Sequence, residues 1–149
     1  MRKYMKLTFK KLDEKAIIPS RATAASAGLD ICARVDEPVI LAPNEIKMIP
    51  TGLTAMTDCD DVALLIYPRS GLSTKYGVTL ANCVGVVDSD YRGEIRVGLS
   101  NSSDEDYTVM PGDRISQLMV VPVMCPTPVF VDELDETERG EGGLGSTGR

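Results

Sequence analysis

The chain has 149 residues, 43% of them hydrophobic and 26% charged, with a net charge of −6. This is the length and balance of a single water-facing domain, and an acidic surface excludes broad nucleic-acid binding through a basic face. There are no histidines, which excludes Ser-His-Asp and Cys-His nucleophile systems and the usual zinc centres. A base working near neutral pH is then expected to be a carboxylate, and any metal a hard ion on oxygen ligands.

At the N-terminus, MRKYMKLTFKK is basic but has no apolar segment after it. No secretory signal is expected there, nor a membrane span elsewhere, so the expected location is the cytoplasm. Cys32, Cys59, Cys83 and Cys125 form no CxxC pair and are expected to be reduced, buried thiols.

Short apolar stretches between proline, glycine and Asn/Asp punctuation replace helical periodicity, and they predict an antiparallel all-β sandwich or barrel. Lys6–Leu12 alternates as a strand. SAGLDICA (Ser26–Ala33) sets one carboxylate, Asp30, among small and apolar residues, where it serves either as hydrogen-bonded structure or as a group beside a metal. In Pro38–Leu53, Pro43-Asn44 marks a turn between two strands, and Val62–Pro68 is a buried strand stopped by proline.

YPRSGLSTKYG follows, with one short helix expected from near Ser70. Arg69, Ser70 and Gly71 at its start are either a phosphate cradle or a serine cap beside a solvated arginine. In ANCVGVVDSDYRGEI, Val84–Val87 is expected as a buried strand. Asp88-Ser89-Asp90 is a turn, and Gly93 lets the chain return as a hairpin. Asp88 is a candidate base and Tyr91 a surface for a sugar or ring, although Asp and Gly are also simply what turns prefer. MPGDRISQLMV turns at Pro111-Gly112 and enters a strand, with Asp113-Arg114 a possible surface pair and Gln117 an exposed strand residue. After Phe130 an acidic stretch leads into RGEGGLGSTG, a C-terminal arm over about residues 131–149. A Gly/Ser strip of this kind is either a loose end or a lid whose amides close over an anion.

Taken in order, AGLDICA, PRSGLSTKYG, GVVDSDYRG, PGDRISQ and RGEGGLGSTG resemble the five motifs of the trimeric dUTPase family, spanning Ala27 to Gly148. The resemblance implies a homotrimer of jelly-roll-like distorted β-barrels with one short helix. Its active sites are shared between subunits and hydrolyse dUTP to dUMP and pyrophosphate with Mg2+. Such an enzyme keeps uracil out of DNA and supplies dUMP for dTMP synthesis. By position, Asp88 would activate the water attacking the α-phosphorus. Arg69, Ser70 and Gly71 would hold phosphates, with Gln117 beside the α-phosphate. Asn82, with Gly85 permitting close approach, and the main chain of Val86, Val87 and Arg96 would recognise the uracil edge. Tyr91 would lie against the deoxyribose and exclude a 2′-hydroxyl. Asp30 would hold waters around the magnesium, which is otherwise carried by the substrate phosphates. Arg139, Leu144, Gly145, Ser146 and Thr147 would close over the site from a third subunit. Leu144 stands where the family usually has phenylalanine, and the missing ring implies about 0.5–1.5 kcal/mol less stacking on the base. The related dCTP deaminases, and catalytically silent relatives used for binding, are the rivals to this expectation.

Overall fold

A computed structural model describes residues 5–143. They form eleven strands and one helix, and every strand pairing is antiparallel. β1 (Leu7–Lys11) pairs with β5 (Leu53–Thr57), and β3 (Val39–Leu41) pairs with β10 (Tyr107–Val109). A four-stranded sheet runs β2 (Leu29–Cys32), β11 (Arg114–Pro122), β6 (Val62–Tyr67), β8 (Gly85–Asp88). A three-stranded sheet runs β4 (Ile46–Pro50), β9 (Arg96–Asn101), β7 (Val78–Leu80).

Period-2 alternation builds the core. In β9, Val97, Leu99 and Asn101 are buried while the residues between them face out. Ile31, Leu41, Ile49, Leu64, and both Ile115 and Leu118 of β11, each nearly or fully buried, come from five strands in three of the pairing groups. The one fully buried side-chain amide among the described residues is satisfied: Asn101 Nδ2 donates to Leu41 O at 2.9 Å and Glu105 O at 2.7 Å, tying the end of β9 to β3.

The Pro43-Asn44 turn lies between β3 and β4, but these strands join different sheets, so it is a corner and not a hairpin. Asn44 takes a φ of 62° there. The helix, α1, covers Ser70–Tyr76, as expected from its motif. Its end is dictated by Gly77, at φ 66°, where a Cβ would also sit 3.0 Å from the Ser103 amide nitrogen.

Three sequence expectations are corrected. Val84–Val87 is not a buried strand: β8 is the edge of its sheet, and Val86 is 64% exposed. The return past Gly93 does not zip into a hairpin, because β8 pairs with β6 while β9 pairs with β4 and β7. Of the cysteines, Cys32 alone is buried, since Cys83 occupies a turn at φ 62° and Cys125 lies beyond the last strand. The strands end at Pro122, and residues 124–141 are all exposed.

Candidate active site

The unzipped hairpin leaves a cleft between β8 and β9. One arm, about 290 Å³, is lined by Asp88, Tyr91 and Glu94. The other, about 250 Å³, is lined by Asn82 and Gly85, and both arms share Met48, Val86, Val87 and Arg96. As an edge strand, β8 turns a row of main-chain donors and acceptors into this space. Gly85 sits against β6, where a Cβ would meet Ile66 Cβ at 3.2 Å.

Asp88 ends β8, and its carbonyl accepts the Tyr91 amide at 3.1 Å, closing the turn. Arg92 braces that turn from outside: Nη1 donates to Ser89 O at 2.8 Å and Tyr91 O at 3.0 Å. The Tyr91 hydroxyl donates to Glu94 O at 3.0 Å, which lays the ring across Gly93. A Cβ on Gly93 would fall 2.5 Å from Tyr91 Cζ, so glycine is required for the ring to lie there. The Arg96 side chain turns toward Glu94, Nε to Oε2 at 3.9 Å.

A second group gathers around Asp30. Its Oδ2 accepts from Arg114 Nη1 at 3.0 Å, and its Oδ1 lies 3.4 Å from Arg69 Nε. Arg69 Nη1 also donates to Arg114 O at 2.9 Å. Arg69, not Ser70, is the cap residue of α1, with no side-chain capping bond, so its guanidinium is held over β2 and β11. Gln117 is half-buried rather than exposed and donates Nε2 to Pro68 O at 2.9 Å. Gly28 makes room for it, since a Cβ there would lie 2.8 Å from Gln117 Oε1.

A β-bulge between Arg114 and Ser116 explains this grouping. Three residues apart in a regular strand, Arg114 and Gln117 would face opposite sides; the extra residue turns both to the face of Asp30. Asp113 does not pair with Arg114, because its Oδ2 accepts the Met110 amide at 2.8 Å instead. Arg114, Gly28 and Met48 were missed in the sequence as site residues. Adjacent charges in GDR suggested a local pair, and no spacing links Arg114 to a carboxylate 84 residues earlier.

The two groups lie at opposite ends of one sheet. Asp88 is opposite Ala63 of β6, and Gln117 is opposite Tyr67 on its other side. That is four residues along β6, about 13 Å, and two strand spacings across, about 10 Å. Arg139 stays in its own turn on the arm, Nε donating to Gly142 O at 2.8 Å. Leu144, Gly145, Ser146 and Thr147 lie outside the described residues. No cluster of three or more acidic or cysteine side chains fit for a metal occurs among the described residues.

The family model described as dUTPase matches residues 14–148, a span holding all five quoted motifs. The chain belongs to the dUTPase family. A deoxyuridine 5'-triphosphate nucleotidohydrolase of Burkholderia cenocepacia is 46% identical to this dUTPase chain over 147 residues, 97% of this chain and 99% of that protein. One of Coxiella burnetii is 45% identical over 145 residues, covering 97% and 95%. Among solved dUTPases, a mutant of the Staphylococcus bacteriophage 80alpha enzyme with dUpNHpp superposes with a TM-score of 0.85 at 27% identity, covering 97% of this chain and 99% of that one. The mostly β chain with a single short helix therefore has the dUTPase fold.

Proposed function

We infer that this chain is a dUTP diphosphatase, and that the β8/β9 cleft and the arginine group around Asp30 are two parts of one site. The observation that carries the reading is the opened hairpin: an unpaired strand edge beside a tyrosine, ending in a carboxylate.

The base enters the cleft, where the main chain of Val86, Val87 and Arg96, with Asn82, takes the place of a complementary base edge. Tyr91, pinned over Gly93, lies against the deoxyribose and leaves no room for a 2′-hydroxyl. Asp88 orients the attacking water and takes its proton as the bond to the α-phosphorus forms; pyrophosphate leaves and dUMP remains. Arg69, the amides of Ser70 and Gly71, and Gln117 hold the phosphates and stabilise charge developing on their oxygens.

Because one chain sets Asp88 far from Gln117, the phosphate groups facing a given Asp88 come from another copy. A homotrimer of jelly-roll-like barrels satisfies this, with Arg139 and residues 144–147 of a third copy closing the site. The donor set fits a magnesium ion that arrives on the triphosphate: the described residues are rich in cations there and form no carboxylate cage. Asp30, with lone pairs beyond its two arginine contacts, would stand beside the ion through water. When bound, the metal neutralises phosphate charge and polarises the reacting phosphoryl group.

Incubation with Mg2+ and, separately, dUTP, dCTP, dTTP and UTP tests the reading. Pyrophosphate and dUMP are expected from dUTP alone. Ammonia from dCTP would point to a deaminase, and no product from any of them would leave a binding role.

A further inference from the structure

One wall of the cleft comes from neither β8 nor β9. Met48 belongs to β4 and reaches in from beyond β9, lining both arms of the space. Its neighbour Ile49 points into the core at 1% exposure, whereas Met48 remains 53% exposed. The register explains how the thioether reaches the cleft. Met48 is opposite Gly98 of β9, and a Cβ on Gly98 would lie 3.1 Å from Met48 Sδ. With no side chain on Gly98, the methionine lies across β9 instead of being turned away.

A pyrimidine has one polar edge and one carbon edge. On the reading above, which this inference depends on, the polar edge is matched by Asn82 and the main chain of β8 and β9. The carbon edge then needs an apolar surface. Val86 and Val87 lie on the strand that grips the polar edge; from the other strand group Ile95, Leu80 and Val97 each line one arm only, whereas Met48 is, among the described residues, the one apolar side chain of that group that lines both. We propose that Met48 is a specificity-determining residue whose thioether packs against the C5 edge of the base. By filling the space that a 5-methyl group would need, it favours uracil over thymine. A methionine suits the task because its unbranched, polarizable chain follows a flat ring closely. A single methyl in an apolar pocket separates ligands by roughly 10–200-fold.

The test titrates full-length protein with dUMP and with dTMP in a calorimeter, for the native chain, Met48→Ala, Met48→Leu and Met48→Val. Met48→Ala is expected to narrow the preference for dUMP over dTMP by about tenfold, chiefly by tightening dTMP. Met48→Leu should keep the preference, and Met48→Val, shorter but suited to a strand, should narrow it part-way even if the alanine variant folds poorly. An unchanged preference in both shortened variants overturns the proposal. So does an equal loss of affinity for both nucleotides, which is what a merely structural role predicts, or a native chain that binds neither. Binding of mononucleotides requires no turnover, so a failure to hydrolyse dUTP would remove the diphosphatase reading while the preference still decides the role of Met48.

Discussion

Tyr91 and Gly93 show how one absent side chain positions another. The ring lies where a Cβ on residue 93 would have to be, and its hydroxyl reaches Glu94 O at 3.0 Å. Gly93→Ala is therefore expected to displace the ring and destabilise the fold by about 1–3 kcal/mol. If the ring lies against the deoxyribose as proposed, UTP should become a better substrate relative to dUTP once the ring has moved. Denaturant unfolding and kcat/KM for both nucleotides measure the two effects, and an unaltered UTP:dUTP ratio would detach Tyr91 from sugar selection. Asp88→Asn keeps the size and the turn but removes the carboxylate proposed as the base. Turnover should fall roughly 10²–10⁴-fold with nucleotide affinity retained, as single-turnover kinetics and equilibrium binding can show; full turnover would take Asp88 out of the mechanism.

Between elements, a charged staple joins the loop after β1 to the segment after β2. Arg34 Nη2 contacts Asp13 Oδ2 at 2.7 Å and Asp36 Oδ1 at 3.1 Å, and Lys15 Nζ lies 3.0 Å from Asp36 Oδ1. The Arg34 hydrogen bond, then the Lys15 amide, hold the Asp13 carboxyl down from its ordinary 3.8 to about 2. Asp36 is lowered by Lys15 and Arg34 in the same direction. A carboxyl whose folded pKa is depressed binds its proton more readily in the unfolded chain. Its stabilisation is thus complete above about pH 4 and is lost as pH falls toward 2. Thermal unfolding between pH 6 and pH 2 should show a steeper acid loss in the native chain than in Asp13→Asn; parallel curves would mean the staple contributes nothing measurable.

At the scale of the whole molecule, the separation of Asp88 from the Arg69 group makes assembly testable. Asp88→Asn and Arg69→Ala chains, each expected to be inactive alone, are unfolded together and refolded as a mixture. If a site takes its carboxylate and its arginine from different chains, about a quarter of the sites in random mixtures regain both native residues. Sites contained in one chain would regain none, and assay of the refolded mixture separates the two cases. Truncation before Arg139 should abolish hydrolysis while leaving the proposed trimer intact by sedimentation, whereas a fully active truncated protein would make the glycine strip an ordinary loose end.

The sequence alone determined the strand-rich class, the single helix beginning at Ser70, the turn at Pro111-Gly112 and the order of the motifs. Each of these is local, set by glycine and proline dihedrals or by alternation over a few residues. The absence of histidine likewise excluded histidine-based nucleophile systems from the sequence alone. Partners were another matter. Alternation says that Asp30 and Gln117 each lie on some face, but not that the same face holds both, nor that a bulge carries Arg114 onto it. Likewise, Val84–Val87 looked buried because its residues are apolar, and the turn after it looked like a hairpin because its residues make one. Only the pairing of β8 with β6 and of β9 with β4 and β7 opened the space between them. Such contacts join residues dozens of positions apart, where a local pattern carries no information about which strand lies alongside.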